Sequence, residues 1–132
     1  MEINMSDSIA ELTKKIVEFR DARNWKQFHN PKDMAISVSL EAAELLEVFQ
    51  WSGADTNADT EKKLTKIKEE LADILIYSFL MGKDLGIDIA KIICDKIEEN
   101  NRKYPVEKVY GKSDKYTAYS MGSNEGKNYD CI

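Results

Sequence analysis

Two pairs of carboxylates interrupt the two most apolar helical runs of the chain. Glu41 and Glu44 stand three residues apart in one run, and Glu70 and Asp73 repeat that spacing in the next. Residues three apart share one face of a helix, so each pair points in one direction. Four acids that face one another would repel and lose hydration, and a cation between them offsets both costs. The pattern therefore predicts two helices that pack face to face around a hard metal ion.

The remaining apolar residues recur at steps of three and four, which predicts four α-helices and an all-α fold of the four-helix type. No strand-like alternation competes with this prediction. The second helix carries apolar residues on most sides, so we expect it to be central or to lie at a subunit interface. The predicted helices run from Ser8 to about Asn24, from Pro31 to Trp51, from Thr60 to Gly86, and from Asp88 to just before Tyr104.

Counting from the connecting loop predicts that the two acidic pairs meet. Glu41 lies ten residues before Trp51 and Glu70 lies ten residues after Thr60, so each is about 15 Å from the loop at about 1.5 Å per residue. An all-oxygen cluster is what Mg²⁺ or Mn²⁺ prefers, and such an ion promotes hydrolysis at phosphorus. Two solvated acidic faces are the alternative. The only histidine, His29, does not follow a glutamate by three residues, which excludes the usual di-iron ligand set.

Composition narrows the class of protein further. A chain of 132 residues is long enough for one compact domain, and we expect that domain at 1–110 with a polar tail at 111–132. The net charge of −5 has its acids and lysines interspersed, so no basic field is available for a nucleic acid polymer or an anionic membrane. Two isolated cysteines and no apolar stretch of about 20 residues favour a cytoplasmic protein.

Four stretches carry a recognisable set of motifs. These are F-R-D-A-R-N-W with Q-F-H at 19–29, L-E-A-A-E-L-L-E-V-F-Q-W at 40–51, E-E-L-A-D-I-L-I-Y at 69–77, and N-x-x-x-Y-P at 100–105. Together they resemble the MazG-like all-α nucleotide pyrophosphohydrolases, and the dCTP pyrophosphatase branch most closely. The resemblance covers about 19–105 and leaves the tail outside.

The resemblance implies a Mg²⁺-dependent hydrolase, with Mn²⁺ as a possible substitute, that splits a nucleoside triphosphate into a monophosphate and pyrophosphate. The residues that match the family's metal and catalytic positions are Glu41, Glu44, Glu70 and Asp73. The residues that match its substrate positions are Trp25 and Trp51 around the base, Asn100 and Tyr104 beside the nucleotide, and Lys96 at the phosphates. Such proteins are usually homotetramers, dimers of dimers, whose sites a neighbouring subunit completes. The implied substrate is a deoxynucleoside triphosphate such as dCTP, or a modified nucleotide.

One position departs from the branch that the chain resembles. Animal members that prefer dCTP carry a histidine on the first helix where this chain has Ile16. A related pyrophosphatase for dUTP or phosphoribosyl-ATP is therefore an alternative, as is a helical scaffold that binds nucleotide without catalysis. Without the resemblance, Trp25 and Trp51 are more typical of core anchors than of base-stacking residues.

Overall fold

The computed structural model describes residues 8–115 and 117, and the regular structure in this range is helical throughout. The all-α fold class is therefore confirmed. The elements are α1 (Ile9–Asp21), a short 3-10 helix (Trp25–Phe28), α2 (Pro31–Glu47), α3 (Glu61–Asp84), α4 (Ile89–Lys103) and α5 (Val106–Val109). Across these residues, no helix is both long enough and apolar enough to cross a membrane. Most of the predicted tail at 111–132 lies outside the described residues.

Side-chain caps start the first three α-helices at the predicted places. Ser8 and Glu11 form a capping box, in which each backbone N–H donates to the other's side chain at 2.7 and 3.3 Å. Asn30 Oδ1 accepts from the third residue of α2 at 2.9 Å, and Thr60 Oγ1 accepts from the third residue of α3 at 3.2 Å. These bonds satisfy backbone donors that a helix start leaves open.

The end of α2 differs from the prediction. The helix stops at Glu47 instead of Trp51, and a series of turns follows. Trp51 has a φ of 68° and Gly53 a φ of 59°, so both lie in the left-handed region that no helix can continue through. A salt bridge of 2.5 Å between Lys63 Nζ and Asp55 Oδ2 holds the connection against the start of α3.

The chain divides into two compact units, Met1–Ala90 and Lys91–Ile132. In the first unit α2 packs chiefly on α3, and α1 also contacts α3. Met34 of α2 and Leu80 of α3 are buried in this packing. Arg20 of α1 is buried as well, and its Nη1 lies 2.6 Å from Asp84 Oδ2 at the end of α3. This ion pair joins the first helix of the unit to its last long one.

Replacing Arg20 with alanine should lower the free energy of unfolding by about 3 kcal/mol, because Asp84 then loses the partner of a largely buried ion pair. Urea unfolding followed by circular dichroism measures the change. Arg20 also contacts Asp21, whose side chain is half exposed, and Asp21→Ala should cost less than about 1 kcal/mol. Equal losses in the two variants would contradict the role given to the Arg20–Asp84 pair.

Candidate functional site

Three of the four predicted acids come together where α2 meets α3. Glu41, Glu44 and Glu70 each offer a carboxylate oxygen, and these three oxygens all lie within 4.8 Å of one another. Glu70 is buried, Glu41 is half-buried and Glu44 is exposed. The cluster therefore has a closed side formed by α3 and an open side formed by α2.

Asp73, the fourth predicted acid, lies outside this group of three but next to it. Its negative charge is one of the causes that raise the pKa of Glu41. It is half-buried and also lines a groove on the neighbouring surface. Asp73 is thus placed between the carboxylates and the groove.

The carboxylates affect one another's pKa values. Burial, followed by the charges of Glu44 and Asp73, raises the pKa of Glu41. The neighbouring Glu70 carboxylate raises the pKa of Glu44. The pKa of Glu70 is lowered instead, mainly because the Lys66 ammonium stabilises its charged form against the opposing effect of burial. Among Glu41, Glu44 and Glu70, the negative charge is therefore most stable on Glu70.

Lys66 is a contact of the site that sequence reasoning missed. It lies one turn before Glu70 on α3, and its Nζ is 2.5 Å from Glu70 Oε1 and 3.6 Å from Glu69 Oε2. A lysine four residues before a glutamate is a spacing at which helical side chains meet. That spacing was the available signal, although it is also common on solvated helix faces.

The cluster fits a hard divalent cation. All of its donors are carboxylate oxygens, the ligand type that Mg²⁺ and Mn²⁺ prefer. Glu70 Oε2 is buried and has no hydrogen-bond partner among the residues described. A buried acceptor without a partner is costly, and a metal ion held by Glu41, Glu44 and Glu70 would provide one.

An open groove of about 710 Å³ adjoins the acids in the same unit. Its lining is mostly apolar, and it includes Ile16, the position singled out from the sequence. Trp25 also lines it and meets Phe19 edge to face, with ring centroids 5.8 Å apart. The groove therefore presents aromatic and aliphatic surface beside Asp73, which suits a flat ring attached to a charged group. The other lining residues include Leu12, His29, Leu75, Ile76, Tyr77 and Leu80.

Trp51 is not among the residues that line this groove. It lies in the turns after α2 with 92% of its surface exposed, and its backbone is left-handed. A large apolar side chain in this state has surface available for a ligand or for another chain. The two predicted aromatic residues therefore occupy different places within one chain.

The other predicted substrate residues belong to the second unit. Lys96 lies on α4, and its Nζ is 3.0 Å from Glu99 Oε2. Asn100, near the end of the same helix, is half-buried, and its carbonyl oxygen accepts a 2.8 Å hydrogen bond from the backbone N–H of Tyr104. These residues share one stretch of chain, which ends at the Tyr104-Pro105 pair.

Comparison with known proteins identifies the family of this chain. The model of the MazG-like family matches residues 36–118, which include the four predicted acids and α4. The chain belongs to the MazG-like family. The resemblance inferred from the motifs is confirmed.

The relatives and the solved structure that this chain resembles are named as pyrophosphatases. The chain is 30% identical to dCTP pyrophosphatase 1 of Mus musculus over 120 residues, which cover 88% of this chain and 70% of the relative. It is 28% identical to the dCTP pyrophosphatase 1 of Homo sapiens, with the same two shares covered. The crystal structure of a pyrophosphatase from Archaeoglobus fulgidus is 37% identical, superposes with a TM-score of 0.68, and covers 79% of this chain and 99% of its own.

In this MazG-like protein, Glu44→Gln should raise the melting temperature in the absence of metal. The raised pKa of Glu44 means that folding disfavours its charged form, so a neutral side chain is favoured at pH values above that pKa. As the pH falls through the raised pKa, Glu44 becomes neutral itself and the advantage of glutamine disappears. Calorimetry with EDTA at about pH 8 should show the higher melting temperature of the variant, and calorimetry at about pH 4 should show that the difference is lost.

The matched control is Glu69→Gln, because Glu69 is the exposed neighbour of Glu70 and lies about 100° around the helix from it. We expect its melting temperature to stay close to that of the wild type. If the melting temperature of Glu44→Gln is unchanged or lower at the higher pH, the repulsion inferred between the Glu44 and Glu70 carboxylates is contradicted.

Proposed function

We propose that this protein hydrolyses nucleoside triphosphates between the α and β phosphates and releases a monophosphate and pyrophosphate. The observation that carries the proposal is the meeting of three carboxylates beside an apolar groove lined in part by Asp73. A triphosphate requires a cation to neutralise its charge, and a nucleoside requires an apolar surface on which to stack. The first unit of the chain has a candidate for each requirement.

The class of enzyme follows from the family. A MazG-like chain whose relatives are named dCTP pyrophosphatase and pyrophosphatase is a nucleoside triphosphate pyrophosphohydrolase. The finer substrate that we propose is a deoxynucleoside triphosphate such as dCTP, or a modified nucleotide. Ile16 in the groove wall is the feature that favours testing related substrates, dUTP and phosphoribosyl-ATP, beside it.

The proposed metal is Mg²⁺, with Mn²⁺ as a substitute. The residues that would hold it are Glu41, Glu44, Glu70 and Asp73. Bound there, the ion would neutralise phosphate charge and lower the pKa of a water molecule. The protein's own groups then position the reactants. Glu70 is held in place by its burial, and the apolar groove walls would keep water away from the nucleoside.

We assign the substrate-binding roles to the residues that match the family's substrate positions. We assign Trp25 to one face of the base, since it lines the groove. Trp51 would cover the other face, and its exposure supports delivery from a neighbouring subunit. Asn100 and Tyr104 would line the nucleotide pocket, and Lys96 would reach the phosphates.

The proposed assembly is a homotetramer, a dimer of dimers, in which each chain forms a four-helix-type bundle at 1–110 with a tail at 111–132. Apolar side chains left open in the single chain support it. Ile36 and Leu40 of α2 are one turn apart and 46% and 59% exposed. Leu64, Leu71 and Leu75 form a second exposed row on α3. A central helix with open apolar faces is expected where subunits meet.

Light scattering should give a mass of four chains of 15.1 kDa each. Ile36→Asp should reduce that mass while circular dichroism stays helical, because a charge at a subunit interface is desolvated without a partner. Ile36→Val keeps the apolar surface and should keep the wild-type mass. A wild-type protein that elutes as a monomer would refute the assembly.

Incubation with Mg²⁺ and a panel containing dCTP, dUTP, modified deoxynucleotides and phosphoribosyl-ATP should yield monophosphate and pyrophosphate in equal amounts. Chromatography of the nucleotides and a coupled pyrophosphate assay measure both products. Diphosphate and orthophosphate would show that the bond assignment is wrong. Binding of nucleotide without any release of pyrophosphate would favour the non-catalytic scaffold.

Variants in the same assay test the residues. Glu44→Gln and Asp73→Asn should reduce turnover by about 10²-fold or more, because each removes a charge that the metal site needs. Glu69→Gln is the control and should retain activity, since its side chain is 60% exposed and is not one of the three clustered acids. Full activity in both Glu44→Gln and Asp73→Asn would exclude the acids from the mechanism.

A further inference from the structure

Lys66 contacts the most buried acid of the site without being part of the acidic cluster. Its Nζ lies 2.5 Å from Glu70 Oε1. The Lys66 side chain is 53% exposed, whereas that of Glu70 is 3% exposed. A side chain that is about half in water therefore brings its charge to a buried carboxylate.

The two oxygens of Glu70 are in opposite situations. Oε1 has the Lys66 ammonium as a partner, while Oε2 is buried with no hydrogen-bond partner among the residues described. Oxygens of Glu41 and Glu44 lie within 4.8 Å of a Glu70 oxygen and add negative charge there. The chain thus neutralises one side of this carboxylate with its own cation and leaves the other side to a ligand.

We propose that Lys66 is a built-in counter-cation that competes with the metal ion for Glu70 and thereby sets the affinity of the site for metal. The inference rests on the proposed metal site and adds a determinant of its strength. In the metal-free protein the ammonium supplies the charge that Glu70 needs. When a divalent ion binds, Glu70 turns to the stronger cation and the Lys66 ammonium returns to water.

The chemistry of lysine makes this exchange feasible. An ammonium on a flexible stem is strongly hydrated and bonds as a point charge, so it can leave Glu70 without a large rearrangement. A divalent ion carries twice its charge and bonds several carboxylates at once. Lys66 therefore lowers the affinity of the site for metal without blocking it.

Removal of the competitor should strengthen metal binding. Titration of the full chain with Mn²⁺, followed by the electron paramagnetic resonance signal of the free ion, should give a dissociation constant about tenfold lower for Lys66→Met than for the wild type, a difference of ~1.4 kcal/mol. Lys68→Met removes the same charge about 200° around the helix from Lys66 and should change the constant less than about twofold.

A charge-preserving variant separates competition from the loss of one positive charge. Lys66→Arg keeps the charge and can hold both carboxylate oxygens in a fork, so Mn²⁺ should bind more weakly than to the wild type. Melting temperatures give an independent check. Lys66→Met should melt below the wild type in EDTA and approach it in saturating Mn²⁺, since the ion replaces the missing cation.

The outcomes distinguish this inference from the site on which it rests. Equal Mn²⁺ affinity in the wild type, Lys66→Met and Lys66→Arg would overturn the competition and leave the metal site intact. A tightening in Lys68→Met as large as that in Lys66→Met would overturn it too, because general charge would then explain both. A wild-type protein that binds no Mn²⁺ would refute the metal site, and this inference with it.

Discussion

The burial of a single carboxylate at the junction of α2 and α3 is the constraint on which the rest of the site depends. Glu70 is 2% exposed, and oxygens of Glu41 and Glu44 lie within 4.8 Å of it. Three acids at this distance would push the two helices apart unless positive charge were near. Lys66 supplies part of that charge within the chain. The acids of the site therefore oppose the packing of α2 on α3, and positive charge at the junction offsets that cost.

Asp73 connects the charged and apolar halves of the site. It raises the pKa of Glu41 on one side and lines the groove that contains Trp25 on the other. The opposite wall of that groove comes from α1, which the buried Arg20–Asp84 pair fastens to α3. A substrate with a charged end and a flat apolar end would be bound along this direction. Arg20 itself lines the groove, so this ion pair helps to shape the surface beside Asp73.

Local chemistry made most of the helices predictable from the sequence. The helix starts predicted at Ser8, Pro31 and Thr60 agree with the structure to within one residue, and side-chain caps at Ser8, Asn30 and Thr60 account for them. The sequence predicted that the acids meet because Glu41 and Glu70 lie equally far from the loop that connects their helices. That distance does not specify how each helix is rotated about its axis. For that reason Glu44, and not Asp73, joins Glu41 and Glu70 in the tight group. Lys66 was missed because its spacing to Glu70 is ordinary on exposed helices.

The turn at Trp51 has a consequence for how such proteins diverge. A left-handed backbone costs a residue other than glycine about 1–2 kcal/mol, and here it sets the direction of an indole that is almost fully exposed. That direction depends on the length of the connection between α2 and α3, because the turns follow the end of one helix and precede the start of the next. An inserted or deleted residue there would re-aim the indole and leave every acid in place. With the role proposed for Trp51, homologous chains with identical carboxylates would come to prefer different bases through loop length alone.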